Sequence, residues 1–196
     1  MTEISDPRYL PPDKARWNAR YLARSGAATP PCSFVAGLPL PAGGRALDLA
    51  GGSGRHAIYL ADQGLDVTCV DVSEAALELC EVEASKAGVV VRTVVLDLKT
   101  SAPPPGPWDL ILVTNYWQPS LFAHFATLLA PGGCLAYSQP TWTNLERNPR
   151  PGRRFLAAPG QLETLAEDAG LAVLRCEEGW QSGRHESHLV AQRSAG

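Results

Sequence analysis

The sequence predicts an α/β fold: a mostly parallel sheet of about seven strands, covered by helices on both faces and finished by an antiparallel C-terminal strand. Three observations predict it. Short apolar runs alternate with helical patterns from Arg45 to Ser138, as crossover-connected parallel strands do. A run such as Leu110-Ile111-Leu112-Val113 is apolar at every position, which suits a strand buried on both sides. The first of these runs also enters a turn of small residues, Gly51-Gly52-Ser53-Gly54, before an apolar-periodic helix. Strand, glycine turn and helix together form the opening unit of a doubly wound sheet that binds a nucleotide-like ligand.

The elements follow in order. Residues 1–12 are polar and proline-bearing and read as irregular. Asp13 can cap a helix from Lys14 to Arg24, stopped by Ser25-Gly26. Trp17 and Tyr21 share one face of it at i,i+4. Residues 26–44 are rich in Gly, Ala and Pro, with a short apolar piece at Phe34-Val35-Ala36. Arg45–Ala50 is the first strand, Gly54–Asp62 a helix, and Asp66–Val70 the second strand, ending on Asp71. Ser73 caps a helix from Glu74 to Ala87, which Gly88 terminates. The β-branched run Val89–Leu96 is the third strand and ends on Asp97. The proline-rich stretch Ser101–Pro107 is a surface loop.

Trp108–Thr114 is the fourth strand, and Pro119–Ala130 a helix burying Leu121, Phe122, Phe125, Leu128 and Leu129. Pro131-Gly132-Gly133 turns into the fifth strand, Cys134–Ser138. Gln139–Gly160 is long, polar and arginine-rich, and Gly160–Ala169 is a further helix. Leu171–Cys176 and Ser187–Arg193 then read as an antiparallel pair. Residues 1–44 are expected to be a helical cap and lead-in and residues 45–196 the ligand-binding domain, together one compact unit.

Composition narrows the function classes. The 196 residues, 45% of them hydrophobic, suffice for one domain with a sizeable core. A net charge of −3 argues against a generic nucleic-acid binder. The N-terminus lacks a signal-peptide pattern, and no apolar run reaches membrane-spanning length. Five cysteines lie far apart with no C-x-x-C pair, which fits reduced thiols. The expectation is a cytoplasmic monomer or homodimer with a small-molecule partner and neither nucleic acid nor membrane as ligand.

Two cofactors compete for the glycine turn. Residues 52–57 fit G-x-G-x-x-A, and Asp71 closes the second strand nineteen residues after Gly52, which satisfies the dinucleotide fingerprint. Three features tilt away from nicotinamide. Asp48 sits inside the first apolar strand, where a charge needs a local reason. Asp71 and Asp97 place two acidic ends on one rim of the sheet. The chain also ends in a helix and an antiparallel pair instead of a second βαβαβ half, and it has no Tyr-x-x-x-Lys pair.

The motifs L-D-L-A-G-G-S-G at 47–54, V-D-V-S at 70–73, L-D-L at 96–98 and L-A-P-G-G at 129–133 resemble those of class I S-adenosylmethionine-dependent methyltransferases, from about Lys14 onward. W-N-A-R-Y at 17–21, N-Y-W-Q-P-S-L-F at 115–122 and F-L-A-A-P-G-Q-L at 155–162 are similar to the bacterial tellurite-resistance type. One departure is Ala50, which stands where the family pattern has its first glycine.

The resemblance implies a Rossmann-like three-layer sandwich and S-adenosyl-L-methionine as cofactor. It assigns Asp48, Ala50, Gly51, Gly52 and Gly54 to the methionine moiety. Asp71, with Val72, takes the ribose, Asp97 and Leu98 the adenine, and Asn115 the amino-acid part. Arg20 and Arg55 are candidates for the cofactor carboxylate, which a guanidinium matches bidentately; a solvated arginine is the competing reading for each. His56 and Tyr116 are candidate catalytic residues, with a hydrogen-bonding wall residue as the alternative for His56.

Trp17, Tyr21, Trp117, Arg153 and Arg154 are acceptor-site candidates. Arg147, Arg150, Arg153 and Arg154 lie beside Trp142 and Phe155; as a lid they would favour a small anionic acceptor such as an oxyanion or carboxylate, while the resemblance leaves the acceptor open and admits a soft one such as a thiol or chalcogen. A solvated basic loop is the competing reading. His185 and His188 stand three apart in a strand and point to opposite faces, so no metal site is expected. An NAD(P)-dependent oxidoreductase and a non-catalytic cofactor-binding protein remain as alternatives.

Overall fold

The computed structural model describes residues 13–23 and 29–195. The readings of residues 1–12 as irregular and of Arg24 and Ser25-Gly26 as the helix end lie outside the described residues.

A seven-stranded sheet in the order β3-β2-β1-β4-β5-β7-β6 organises the chain. Its strands are β1 (Arg45–Leu49), β2 (Asp66–Asp71), β3 (Val91–Val95), β4 (Trp108–Thr114), β5 (Leu129–Pro140), β6 (Ala172–Gln181) and β7 (Arg184–Gln192). The first five are parallel; β7 runs antiparallel to β5, and β6 to β7. The helices are α1 (Asp13–Leu22), α2 (Ser33–Ala36), α3 (Arg55–Asp62), α4 (Glu74–Ala87), α5 (Phe122–Leu128) and α6 (Gln161–Asp168).

Side chains alternate across each strand and fill two cores. Leu47, Leu49, Ile111, Val113, Leu135 and Tyr137 pack with Phe122 and Phe125 of α5 and Leu162 and Ala166 of α6. On the other face Ala46, Val67, Cys69, Leu110, Leu112 and Ala136 pack with Phe34, Ala57, Leu60, Leu77 and Cys80 from α2, α3 and α4. This is the three-layer sandwich expected from the sequence.

Local chemistry sets several boundaries where the sequence put them. Ser73 Oγ accepts the Ala76 N–H at 3.1 Å, and Gly88 closes α4 at φ 72°, as an N-cap and a left-handed C-cap should. Three expectations need correction. The helix after β4 begins as a 3₁₀ turn, Pro119–Leu121, and α5 stops at Leu128. Leu129 is already strand because it pairs with Trp108, and Pro131-Gly132-Gly133 lies within β5. The third strand starts only at Val91.

The last two strands are longer than their apolar runs. They extend to a two-residue turn, Ser182-Gly183, with φ 48° and 81°, the left-handed pair that a type I′ hairpin requires. The polar residues Glu177, Glu178, Arg184 and Glu186 near that turn carry no hydrophobic periodicity, so the sequence shows only the apolar half of the hairpin.

The strand order reverses between β1 and β4, which places a crevice above their carboxyl ends. Because β7 is antiparallel, the tip of the β6–β7 hairpin reaches the same rim: Pro140 pairs with Glu186.

Candidate functional site

The glycine turn between β1 and α3 forms the floor of that crevice. Ala50, Gly52 and Gly54 all take left-handed backbone, at φ 55°, 58° and 77°. Gly51 is required by close approach: a Cβ there would lie 2.6 Å from both Asp48 Oδ2 and Cys69 Sγ. A Cβ on Gly52 would strike the Tyr21 hydroxyl, and one on Gly54 the Cys80 thiol. The turn is thus wedged between α1 above and two buried thiols below.

Asp48 stands beneath it, wholly buried, and neither carboxylate oxygen has a hydrogen-bond partner among the described residues. Burial, and then the Asp71 charge, push its carboxyl from 3.8 up to about 7; the Ala57 backbone N–H and the Arg55 guanidinium pull only weakly the other way. An orphaned carboxylate of this kind costs free energy unless a cation or donor meets it.

Asp71 closes β2 and organises the turn. Its Oδ2 accepts the Gly52 N–H at 2.9 Å and its Oδ1 the Ser73 N–H at 2.9 Å. Burial raises its pKa, against the backbone hydrogen bonds from Ser73, Gly52 and Val72. Each oxygen keeps a second lone pair for a ligand hydroxyl. Val72 is half-buried beside it. At the next strand end Asp97 Oδ1 accepts the Lys99 N–H at 2.9 Å. Leu98 is buried, and its carbonyl accepts Gln118 Nε2 at 2.7 Å.

The structure gives His56 a different part from that of a base. Its Nε2 accepts the Cys32 N–H at 3.4 Å, so its proton sits on Nδ1, facing Thr114 Oγ1 at 3.2 Å. Burial, with help from the Arg55 charge, lowers its pKa to about 3. A neutral imidazole with both nitrogens engaged has no lone pair to offer a substrate; it walls the crevice. Tyr116 donates to Gln118 Oε1 at 2.5 Å. Burial and then the charges of Asp97, Asp13 and Asp71 raise its pKa, so its hydroxyl stays protonated. Trp117 packs edge-on against Tyr137 at 6.4 Å.

Asn115 follows β4 at φ 56° and accepts Arg184 Nη2 at 2.8 Å. Arg184 also pairs with Glu186 at 3.1 Å, and Glu186 meets His188 Nε2 at 3.2 Å. Burial works against the Glu186 charge, but His188, Arg184 and Arg55 outweigh it and hold its pKa below the usual range. His185 instead bonds Thr141 Oγ1 at 2.7 Å. The two histidines therefore serve separate networks, and no group of three or more His, Cys, Asp or Glu among the described residues is arranged to hold a metal.

Helix α1 covers the turn. Asn18 Oδ1 accepts Ser73 Oγ at 2.7 Å and the Ala75 N–H at 3.3 Å, while Lys14 pairs with Glu74 at 2.8 Å and Asp13 with Lys99. One tether thus reaches the Asp71 end of the rim and another the Asp97 end.

The Methyltransferase domain family matches residues 46–133. No curated protein matches the chain in sequence. Solved structures share its fold. One is a protein from echinomycin biosynthesis, from a study of the conversion of a disulfide bond into a thioacetal group; it is 16% identical, with 93% of this chain and 94% of that chain covered and a TM-score of 0.71. TehB from Haemophilus influenzae is 20% identical over 76% of this chain and 57% of its own, with a TM-score of 0.66. Magnesium protoporphyrin IX methyltransferase from Synechocystis PCC 6803, solved with bound SAH, is 20% identical over 76% and 73%, with a TM-score of 0.62.

The methyltransferase match ends at residue 133, yet the chain beyond it contributes to the same rim. The segment 142–155, here called the strap, packs on the hairpin tip: Asn148 Nδ2 donates to the Gly183 carbonyl at 2.9 Å and Arg147 lies 4.0 Å over the Trp180 ring. Arg153 lies 3.8 Å over Trp142 and Arg154 4.7 Å over Phe155. On α1, Arg20 lies 5.0 Å from the Trp17 ring, and Trp17 and Tyr21 face each other at 6.1 Å. The expected site residues thus fall into a floor (Asp48 to Arg55, with Asp71 and Asp97) and a roof (Trp17 to Tyr21, with the strap).

Sequence reasoning missed Asn18, Gln118, Arg184 and Glu186, which tie these parts together. Asn18 had a signal, since a polar side chain on a helix face flanked by aromatics invites a cap to a neighbouring element. Arg184 and Glu186 had none, because only the antiparallel return of β7 brings them to the rim.

Proposed function

We propose that the protein transfers the methyl group of S-adenosylmethionine to a small-molecule acceptor that carries an anionic group or a soft nucleophile such as a thiol or chalcogen. The observation that carries this reading is Asp48, an orphaned buried carboxylate beneath a turn with no room for a Cβ at Gly51. Such a cradle fits the ammonium and chain of a methionine moiety. Arg55 stands half-buried at the first turn of α3 and suits the cofactor carboxylate. Asp71 retains lone pairs for the ribose diol, and Asp97 with Leu98 suits the adenine edge. Residues 1–44 act in this reading as cap and lead-in, and residues 45–196 as the cofactor-binding domain.

When bound, the sulfonium supplies an electrophilic methyl group for in-line attack by an acceptor lone pair. The chain's own task is to bind, orient and exclude water. His56, neutral and doubly bonded, shapes the wall. Tyr116 holds its proton at Oη and offers a fixed polar edge near the rim. Trp17, Tyr21 and Trp117 supply apolar surface, and Arg153 and Arg154 supply charge for an anionic acceptor. Isothermal calorimetry with S-adenosylmethionine against NADH and NADPH tests the cofactor. Binding of a nicotinamide dinucleotide in preference, or no S-adenosylhomocysteine release with any acceptor of an oxyanion, carboxylate and thiol panel, would overturn the reading.

A further inference from the structure

The roof of the site is held by a row of alternating guanidiniums and rings. Arg20 lies 5.0 Å and Arg16 5.6 Å from the Trp17 ring; Arg16 also lies 6.0 Å and Arg154 4.7 Å from the Phe155 ring. The row Arg20–Trp17–Arg16–Phe155–Arg154 therefore passes from α1 to the strap, with Arg153 stacked on Trp142 beside it. A guanidinium that meets a ring keeps N–H donors for other partners; Arg16 gives one of them to Asp13 Oδ1 at 2.6 Å. Among the described residues those donors on Arg20, Arg153 and Arg154 meet no hydrogen-bond acceptor.

Among the described residues positive charge dominates this row. The carboxylate that meets it is Asp13, and Asp13 is already shared between Arg16 at 2.6 Å and Lys99. Four arginines thus lie along α1 and the strap in a protein whose net charge is −3. Stacking alone does not need them all to be cations; an apolar residue would pack on Trp17 or Phe155 at lower electrostatic cost. Guanidiniums with free forks match carboxylate and phosphate oxygens bidentately.

We propose that the seam between α1 and the strap, lined by Arg16, Arg20, Arg153 and Arg154, is an anion-binding site whose occupation holds the roof closed over the cofactor. The ligand is a carboxylate or phosphate group, either borne by the acceptor itself or as a free anion. Closure rests on the reading of the floor as the cofactor site; anion binding does not.

The test uses inorganic phosphate and the full chain. Phosphate is titrated into the cofactor-free protein at constant ionic strength with chloride as the counter-titrant, and binding is read by calorimetry and tryptophan fluorescence. Saturable binding is expected in the wild type, weakened about tenfold or more in Arg16→Gln/Arg154→Gln, which removes at least one charge-assisted hydrogen bond. Release of S-adenosylhomocysteine is then timed by stopped flow. Phosphate should slow it several-fold in the wild type and leave it unchanged in the double variant. Arg153→Gln, at an exposed position, should give an intermediate result.

No phosphate binding, or equal binding by wild type and variants, would overturn the site. Phosphate that binds without slowing release would overturn the closure. If S-adenosylhomocysteine itself fails to bind, the cofactor reading falls while the phosphate titration still decides the anion site. An acceptor-derived carboxylate that competes with phosphate identifies the acceptor as the source; a carboxylate that methylates unhindered by phosphate assigns the seam to a free anion.

Discussion

Asp48→Asn should make the cofactor-free protein more stable and its cofactor complex weaker. The Asp48 carboxyl is buried without a partner among the described residues, and burial and then the Asp71 charge carry it from 3.8 to about 7. Ionising it in the folded state therefore costs on the order of 4 kcal/mol, at about 1.4 kcal/mol per pH decade. Because the folded value lies above the unfolded one, the associated stability is complete below about pH 4 and is lost as pH rises through about 7. Asparagine abolishes this titration but leaves a buried amide short of partners. The net gain near pH 8 is then ~1–2 kcal/mol, a rise of about 2–8 °C in melting temperature for a chain of this length, vanishing near pH 4.

Cofactor affinity should move the other way. Losing one carboxylate to an ammonium weakens binding about 10- to 100-fold. In the wild type the affinity should also fall as pH drops below about 7, since a protonated Asp48 must first release its proton; the variant should lack that slope. Scanning fluorimetry across this pH range, and calorimetry in buffers of different ionisation enthalpy, measure both. A variant that melts below the wild type near pH 8, or that binds S-adenosylmethionine as tightly, would refute the reasoning.

Other perturbations separate floor from roof. Gly51→Ala drives a methyl group into Asp48 Oδ2 and Cys69 Sγ; it should cost about 1–3 kcal/mol of stability and abolish cofactor binding by calorimetry. Asp71→Ala removes the acceptor of the Gly52 and Ser73 N–H groups; loss of cofactor binding is expected, and retained affinity would contradict its role. His56, with a pKa near 3, should contribute no inflection near neutrality to kcat/KM, so His56→Gln should leave the shape of the pH profile intact while lowering stability. Arg153→Ala/Arg154→Ala should raise KM for an anionic acceptor with little change in kcat, measured by S-adenosylhomocysteine release.

The floor was legible in the sequence because its chemistry is local. A strand, a turn that excludes side chains and an acid at the next strand end all lie within residues 45–71, and each follows from backbone geometry. The boundaries of α4 were readable from Ser73 and Gly88 for the same reason. What sequence could not show are contacts set by topology. The Tyr21 hydroxyl over Gly52, Asn18 at Ser73 and Arg184 at Asn115 join residues 31, 55 and 69 positions apart. His56 illustrates the other limit: its position beside the glycine turn suggested a base, but its neutrality comes from burial, with the Cys32 N–H on its Nε2. The start of β5 was misplaced because pairing with Trp108 draws Leu129 into the sheet, and no residue preference announces that.

Ala50 carries a further consequence. It holds a left-handed φ of 55° that costs an alanine about 1–2 kcal/mol relative to its preferred backbone. The same methyl group narrows the unfolded chain's choices and returns about 0.4–1 kcal/mol. The cost exceeds the return, so alanine at this seat lowers stability by about 1 kcal/mol relative to glycine. It also alters compliance. A glycine there could swivel when the crevice empties; alanine, wedged between β1 and the turn, has few other places to go. The floor should then keep one shape through the catalytic cycle, and the motion needed to admit and release ligands falls to the roof.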